Sequence, residues 1–219
     1  MIIAIDGPSG AGKSTVAKLL SNKLNFEYID TGAMYRALAY KACINKIDIS
    51  EENSERINEM LNSTTVDYYD NNIYLDGQNV EGLIRDEIIS ANASKISALG
   101  IVRKKMVDLQ RKIAENKNVV LDGRDIGTVV FPNADYKFFI TASEEVRAVR
   151  RYNQLISGNK DIVFENILED IKKRDEQDSS RKISPLKIAA DAVLIDNSDM
   201  NLEETVNKLI DIIGGPDVL

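Results

Sequence analysis

The feature that most constrains the fold is an eight-residue loop near the start of the chain. Before it, Ile2 to Ile5 form a β-branched run typical of a buried parallel strand. After it, apolar residues recur at helical spacing from Val16 to Leu24. The loop fits the pattern G-x-x-x-x-G-K-[ST] and consists of Gly7, Pro8, Ser9, Gly10, Ala11, Gly12, Lys13 and Ser14. A strand, a Gly-rich turn and a helix in this order predict the opening unit of an α/β domain.

The glycines of this loop suit it for phosphate binding. They let successive backbone N–H groups point at a phosphate chain, and the following helix N-terminus adds partial positive charge. Lys13 can reach the β- and γ-phosphates of a nucleoside triphosphate, the Ser14 hydroxyl can bind Mg²⁺, and Thr15 lies in the same turn. The alternative is a Gly-rich turn without a ligand. We expect a nucleoside triphosphate site, but ATPases, GTPases, motor proteins and small-molecule kinases all share this loop.

The rest of the chain alternates short apolar segments with helical patterns. Asp30 or Thr31 can cap the helix that follows the second strand. Asn201 and Glu204 are spaced as a capping box for the last helix, which Gly214-Gly215-Pro216 ends. After the first strand, the predicted strands cover residues 26–29, 119–121, 136–140 and 192–195. This alternation predicts an α/β fold of the P-loop NTPase class, with helices flanking a parallel sheet.

One stretch does not fit a parallel sheet. Residues 64–69 and 73–75, joined through Asp70-Asn71-Asn72 and followed by Asp76-Gly77, are patterned as an antiparallel hairpin. We therefore predict a small inserted subdomain over residues 62–100.

A second stretch, residues 143–183, is highly charged and weakly apolar. Gly158-Asn159 interrupts it between two helical segments. A solvated helical hairpin is one interpretation, and a mobile helical lid is the other. We predict a lid over residues 143–183, within a single domain that spans residues 1–219.

The composition excludes several classes of protein. The 219 residues include no His and one Cys, so Ser-His-Asp triads, Cys-His triads and an internal disulfide are impossible within this chain. With 28 Lys and Arg against 35 Asp and Glu, the formal charge is −7, which argues against general nucleic-acid binding. No apolar run approaches the roughly 18 residues of a membrane span, and no signal peptide is predicted. We expect a cytoplasmic protein without a nucleic-acid or membrane partner.

Arginines are grouped in a way that favours a second anionic ligand. Arg36 follows the second strand by one helical turn, and Arg124 follows the strand that ends at Asp122. Each group alone is typical of a solvated salt-bridge face. Several groups in an acidic chain with a phosphate-binding loop favour guanidinium groups that clamp another phosphate. The helical groups are Arg147, Arg150 and Arg151 at i, i+3 and i+4, and Arg174, Asp178 and Arg181 at i, i+4 and i+7.

Asp122 is a candidate metal ligand. It ends a predicted buried strand, where P-loop proteins place a carboxylate that holds Mg²⁺, often through water. The alternative is an Asx turn made with Gly123. We predict that Ser14 and Asp122 hold the ion.

Four runs, which cover nearly the whole chain in order, resemble bacterial cytidylate kinase. This family of nucleoside monophosphate kinases carries a larger acceptor-binding insert than its relatives, which accounts for the hairpin. The runs are Gly7 to Ser14, residues 30–36 (Asp-Thr-Gly-Ala-Met-Tyr-Arg), residues 122–132 (Asp-Gly-Arg-Asp-Ile-Gly-Thr-Val-Val-Phe-Pro), and Arg174-Asp175 through Asp178 and Arg181 to Pro185-Leu186.

The resemblance implies roles for individual residues. The loop and Thr15 would bind ATP, and Asp178 would contact the ribose of the acceptor. The implied catalytic residues are Lys13, Arg124, Arg147 and Arg151, with Arg150 in the same lid. The implied contacts to the acceptor phosphate are Thr31, Arg36, Arg124, Arg174 and Arg181. The implied contacts to cytosine are Ser94, Arg103 and Asp125.

The activity implied is transfer of the γ-phosphate of ATP to CMP and dCMP, with Mg²⁺ as cofactor. The acceptor phosphate is largely ionised at neutral pH, since its second pKa is about 6, so the nucleophile needs no general base. That property suits a chain without His. The alternatives are a kinase for UMP or another monophosphate, and a P-loop nucleotide switch. Nothing in the sequence demands a partner chain, so we expect a monomer.

Overall fold

The computed structural model describes residues 1–69, 72–156 and 162–214. The chain forms two compact units. The first comprises Met1–Tyr28 and Lys117–Leu219, and the second comprises Ile29–Asn116. The phosphate-binding loop and the predicted lid thus belong to the first unit, and the hairpin belongs to the second.

Within the described residues, strands and helices alternate along the first unit as predicted. The strands are β1 (Ile2–Asp6), β2 (Glu27–Asp30), β3 (Val66–Tyr69), β4 (Asn72–Leu75), β5 (Gln78–Asn79), β6 (Val119–Gly123), β7 (Tyr136–Thr141) and β8 (Val193–Asp196). The α-helices are α1 (Lys13–Leu24), α2 (Thr31–Ile44), α3 (Ser54–Asn62), α4 (Glu87–Ile96), α5 (Gly100–Ala114), α6 (Glu144–Ile156), α7 (Phe164–Ser180) and α8 (Leu202–Ile213). A π-helical turn covers Ile126–Val130. None of the helices in the described ranges is long and apolar enough to cross a bilayer.

The main sheet has the order β2-β6-β1-β7-β8 among the described residues. β1 lies at its centre and runs parallel to both neighbours, so that Ile5 is opposite Asp122 of β6 and Phe138 of β7. β7 and β8 are also parallel. The parallel sheet predicted from the alternation is confirmed, with strand ends that differ slightly from the predicted ones.

The core of the first unit lies between this sheet and helices α1 and α8. Leu20 of α1 and Leu209 of α8 belong to one cluster of buried side chains with Ile5 and Phe138 of the sheet. Burial of these apolar surfaces fixes α1, and with it the loop that precedes it, against the carboxyl end of β1.

The predicted ends of the last helix are confirmed as far as the structure describes them. The side chain of Asn201 accepts a hydrogen bond from the Glu204 N–H, and the Glu204 carboxylate accepts one from the Asn201 N–H. Gly214 ends the helix in the left-handed conformation, with φ 103°. Gly215 and Pro216 lie outside the described residues.

Two charged helices, α6 and α7, form a hairpin in the first unit. They share a small apolar cluster of Ala148, Ile167 and Ile171, and the ring of Tyr152 meets that of Phe164 edge to face at 6.1 Å. The two predicted helical segments are confirmed. The predicted break at Gly158-Asn159 lies outside the described residues, and the lid role of the hairpin stays a prediction.

The second unit contains α2 to α5 and a small antiparallel sheet of order β3-β4-β5 among its described residues. The hairpin is confirmed, with Val66 opposite Leu75, although Asp70-Asn71 lie outside the described residues. Asp76 and Gly77 both have positive φ, 50° and 80°, as a two-residue type I′ turn requires. They lead into β5, a strand that sequence reasoning missed. The compact unit is wider than residues 62–100, and the boundary of the inserted subdomain stays a prediction.

Candidate active site

The phosphate-binding loop turns sharply where β1 ends, and its glycines make that turn possible. Gly7, Gly10 and Gly12 have φ angles of 148°, 77° and 83°. A Cβ atom on Gly7 would lie 1.9 Å from the carbonyl oxygen of Ile140 in β7. A Cβ atom on Gly10 would lie 3.1 Å from the Cβ atom of Arg147 in α6. A side chain at position 7 would therefore push the loop off the sheet, and one at position 10 would strain it against α6.

Lys13, the first residue of α1, is buried beneath this loop. Its Nζ atom donates a hydrogen bond to the carbonyl oxygen of Pro8 at 2.7 Å. Burial, and next the positive charge of Arg124, lower the pKa of Lys13 to about 7, although Asp122 and Asp178 act in the opposite direction. A ligand that brings negative charge would favour the charged ammonium, as expected of a lysine that receives phosphate oxygens.

The two predicted metal ligands lie side by side. Ser14 Oγ donates a hydrogen bond to Asp122 Oδ2 at 2.7 Å, and Tyr28 Oη donates one to Asp122 Oδ1 at 2.8 Å. Both carboxylate oxygens of Asp122 therefore accept from other elements, which argues against the Asx turn with Gly123. A hydroxyl and a carboxylate together offer the oxygen donors that a hard divalent cation prefers. Tyr28 was not predicted from the sequence.

Three further predicted residues form a charged cluster in the first unit. Arg124 Nε donates to Asp178 Oδ2 at 2.7 Å, and the guanidinium of Arg181 donates to Asp178 Oδ1. Burial alone would raise the pKa of Asp178, but the positive charges of Arg124 and Arg181, with Arg174 acting in the same direction, hold it below its usual value. Asp178 therefore stays ionised and holds two of the predicted phosphate-binding arginines in place.

Arg147, in the predicted lid, is attached to the phosphate-binding loop. Its side chain is buried, and it donates to the carbonyl oxygens of Ser9 at 3.0 Å and Ala142 at 2.9 Å and to the Asp175 carboxylate at 2.6 Å. This guanidinium ties the start of α6 to both the loop and α7. Its proposed contact with a transferring phosphate would have to share these donors.

Arg150 reaches the same loop through Asn197, a residue that sequence reasoning missed. Arg150 donates to the Asn197 side-chain oxygen at 3.0 Å and to its carbonyl oxygen at 2.8 Å. Asn197 Nδ2 in turn donates to the carbonyl oxygen of Ala11 at 3.1 Å. Arg151 is half-buried on the same helix.

In the second unit, an acidic side chain gathers two arginines. The Asp30 carboxylate caps α2 by accepting from the Ala33 N–H at 2.7 Å. It also accepts from Arg36 at 2.9 Å and from Arg85, at 3.5 Å. Thr31 is buried beside this cluster as the first residue of α2. Arg85 was not predicted, because as a lone arginine it belongs to no spaced group.

The predicted cytosine contacts of the second unit lie on two helices. Ser94 is half-buried on α4. Arg103 is buried on α5, donates to the carbonyl oxygen of Ser97 at 3.1 Å, and stacks over the ring of Tyr35 with its Cζ 5.7 Å from the ring centre. Their partner in the prediction, Asp125, is buried in the first unit, at the start of the π-helical turn.

Asp6 is the most unusual titratable group that sequence reasoning missed. It ends β1, is buried, and accepts hydrogen bonds from the N–H groups of Ile126 at 2.8 Å and Gly127 at 2.7 Å. Burial raises the pKa of Asp6 to about 6, and the negative charge of Asp125 adds to the rise, against the pull of the two N–H groups. Its sequence signal was weak, since an Asp before Gly7 looks like ordinary loop punctuation.

Comparisons with known proteins identify relatives of this chain. It matches the family model described as cytidylate kinase over residues 3–214. It is 50% identical over 211 residues to a cytidylate kinase of Clostridium botulinum, with 96% of each chain covered. It is 52% identical over 211 residues to a cytidylate kinase of Caldanaerobacter subterraneus, with 96% of this chain and 93% of the relative covered. A solved structure of an uncharacterized protein from Eubacterium ventriosum aligns over 98% of each chain with a TM-score of 0.53 and 14% identity, a similarity of fold alone.

Asp6 should make stability depend on pH in a way that one substitution removes. Its pKa of about 6 in the folded chain exceeds the ordinary value of 3.8, so the folded chain binds this proton more tightly than the unfolded chain does. The stabilisation from this group is present below the ordinary value and lost as pH rises through the folded value, by about 3 kcal/mol in total. The free energy of unfolding of the wild type, minus that of Asp6→Asn, should therefore fall by about 2–3 kcal/mol between about pH 4 and pH 8.

Denaturant titrations of both proteins across this range measure that difference. Asp211→Asn, which removes an exposed carboxylate of α8, is the matched control and should show no such trend. A constant difference between wild type and Asp6→Asn would contradict the raised pKa.

Proposed function

The chain belongs to the cytidylate kinase family, and on that premise we propose that it transfers the γ-phosphate of ATP to CMP and dCMP. One observation supports this function above the others: the positive charge of Arg124 lowers the pKa of Lys13, and Asp178 raises it. The lysine of the donor loop and the arginine cluster therefore lie within electrostatic reach of each other. A reaction that joins two anionic phosphates requires such an arrangement.

On the donor side, we assign the triphosphate of ATP to the curled loop. Its backbone N–H groups and the start of α1 would hold the phosphate oxygens, and the Lys13 ammonium would neutralise charge on the transferring group. The residues assigned to ATP are Gly7, Pro8, Ser9, Gly10, Ala11, Gly12, Lys13, Ser14 and Thr15.

A divalent metal accompanies ATP in phosphoryl transfer, and we propose Mg²⁺ held by Ser14 and Asp122, the latter directly or through water. The pair fits this ion because both donors are oxygens and because Tyr28 orients the Asp122 carboxylate. When bound, Mg²⁺ neutralises negative charge on the phosphate oxygens of ATP.

On the acceptor side, we assign the monophosphate to arginines that carboxylates already hold. Asp178 orients Arg124 and Arg181, and Asp30 orients Arg36. The residues assigned to the acceptor phosphate are Thr31, Arg36, Arg124, Arg174 and Arg181. Asp178 is also assigned to the ribose.

We assign recognition of the base to Ser94, Arg103 and Asp125. Cytosine presents an N4 amino donor beside the N3 and O2 acceptors, which matches a carboxylate, a guanidinium and a hydroxyl. Uracil would present an acceptor where Asp125 requires a donor. Asp125 is the residue on which the preference for cytosine depends in this assignment.

Catalysis in this proposal is alignment and charge neutralisation. The acceptor oxygen is already ionised, so no side chain has to remove a proton. Lys13, Arg124, Arg147 and Arg151 would stabilise negative charge on the transferring group. Closure of the lid over residues 143–183 and of the insert over residues 62–100 would exclude water, which competes for the same γ-phosphate. The monomeric state stays a prediction.

Release of ADP tests the function directly. The purified chain with ATP and Mg²⁺ should release ADP slowly, and CMP or dCMP should accelerate the release far more than UMP does. A coupled assay with each monophosphate in turn measures this, and detection of CDP confirms the product. ATP hydrolysis that no monophosphate accelerates would contradict the kinase proposal and favour a nucleotide switch.

Asp125→Asn should narrow the preference for CMP over UMP. The amide would place a donor or a neutral acceptor where the carboxylate accepts from the cytosine amino group, and loss of such a charged contact typically costs about tenfold or more in selectivity. The ratio of kcat/KM for the two substrates is the measurement. Asp211→Asn, with the same loss of charge on α8, should leave that ratio unchanged. A ratio unchanged in Asp125→Asn would remove this residue from base recognition.

Arg181→Met should impair use of CMP and spare ATP. Loss of a guanidinium from the acceptor phosphate should raise the KM for CMP and lower kcat, together by at least about tenfold in kcat/KM, with the KM for ATP within about twofold. Arg56→Met, at an exposed position of α3, is the control for loss of a positive charge. An equal loss of ATP affinity in Arg181→Met would contradict the assignment to the acceptor.

A further inference from the structure

Asp6 lies where the central strand of the main sheet meets the segment that carries Arg124 and Asp125. In register it stands between Gly123 of β6 and Phe139 of β7. Its carboxylate is 4% exposed, and its two oxygens accept from the Ile126 N–H at 2.8 Å and the Gly127 N–H at 2.7 Å. Each oxygen of this buried side chain is thus bonded to the backbone of one short segment, 120 residues away along the chain.

The two N–H groups belong to the start of the π-helical turn, where a helix leaves amides without partners inside the helix. The carbonyl oxygen of Asp125 accepts from the N–H groups of Val129 and Val130 at 2.9 and 3.2 Å, which closes the turn behind it. Arg124 and Asp125 therefore lie between two fixed points. The first is Gly123 in the sheet, and the second is the pair of N–H groups held by Asp6.

The packing around this anchor leaves little room for the turn to shift. A Cβ atom on Gly127 would lie 3.2 Å from Lys137 Cδ and 3.4 Å from Asp6 Oδ2. Lys137 is itself fixed, because its ammonium donates to the carbonyl oxygen of Pro132 and, at 2.7 Å, to Asp191 Oδ2. The turn is confined between the Asp6 carboxylate and the stem of Lys137.

The ionised form of Asp6 is costly at this position. The side chain is buried, Asp125 repels it, and Lys13 is the cation that acts on it in the opposite sense. Two N–H groups only partly offset these effects, since the pKa still lies above that of an ordinary aspartate. An apolar residue would avoid the charge but would leave both buried N–H groups without an acceptor.

From these contacts we infer that Asp6 is a positioning residue, which fixes the backbone of residues 124–127 so that Arg124 and Asp125 are preorganised for the acceptor nucleotide. The inference rests on the proposed function of those two residues, and it adds a residue that contacts neither substrate. Asp6 acts through backbone hydrogen bonds, so its effect should appear in acceptor use and not in ATP affinity.

A graded pair of substitutions tests the inference. Asp6→Ala removes both acceptors, whereas Asp6→Asn keeps one acceptor oxygen and turns an amide donor toward the other N–H. The KM for CMP should rise in the order wild type, Asn, Ala, by about tenfold or more in Asp6→Ala, with the KM for ATP within about twofold. The CMP to UMP preference should narrow in the same order. In an Asp125→Asn background, Asp6→Ala should narrow it little further, because both changes act on one contact.

Amide hydrogen exchange tests the anchor without any substrate. Exchange at the Ile126 and Gly127 N–H groups should be at least about tenfold faster in Asp6→Ala than in the wild type, with smaller effects in the strands beside them. Asp6→Asn, which retains one acceptor, should lie between the two and covers the case in which Asp6→Ala fails to fold.

Leu209→Ala is the control for a loss of stability alone. It creates a cavity between α8 and the sheet and should lower stability by at least as much as Asp6→Ala, while both KM values stay unchanged. Equal effects of Leu209→Ala and Asp6→Ala on the KM for CMP would overturn the positioning role. Unchanged exchange at residues 126 and 127 in both Asp6 variants would overturn the anchor, whatever the substrate. A wild type inactive on every monophosphate would instead refute the proposed function, and the exchange result would still decide the anchor.

Discussion

The first unit depends on how its central strand ends. In a parallel sheet the carboxyl ends of all strands meet at one edge, and ligands of α/β proteins bind there. β1 ends in Asp6 and turns at Gly7 against the carbonyl oxygen of Ile140, a contact that only glycine permits. The same edge receives Asp122 at the end of β6 and Asn197 just after β8. The phosphate-binding loop, the predicted metal ligands and the anchor of residues 124–127 are thus consequences of one strand register.

Charge is the second constraint on the site. The chain has a formal charge of −7, yet its buried carboxylates hold arginines in defined places. Asp178 holds Arg124 and Arg181, and Asp175 holds Arg147. Buried ion pairs contribute little net stability, because desolvation offsets their attraction. Their benefit here is preorganisation, since guanidinium groups already fixed lose less entropy when a phosphate binds. Local focusing of positive charge, not net charge, decides what this unit can bind.

The sequence predicted the parts of the fold and site that depend on local pattern. The loop motif, the five strands of the main sheet, the hairpin and the capping box of α8 follow from spacings of a few residues. The pairing of Ser14 with Asp122 also followed, because both stand at the carboxyl ends of predicted parallel strands. What escaped prediction depends on contacts between distant parts of the chain. Tyr28 meets Asp122, and Asn197 meets Ala11, across 94 and 186 residues. β5 was missed because two residues are too few to show a period.

Asp178 illustrates how the structure changes the meaning of a predicted residue. From resemblance it was assigned to the ribose, yet its two oxygens already accept from Arg124 and Arg181. The two roles are compatible, because an ionised carboxylate has about four lone-pair sites, and two arginine contacts leave capacity for a ribose hydroxyl. The arginines also keep the pKa of Asp178 low, so the carboxylate remains an acceptor in either role. A ribose bound there would meet the same carboxylate that orients the guanidinium groups for its phosphate, which couples recognition of the sugar to alignment of the reacting group.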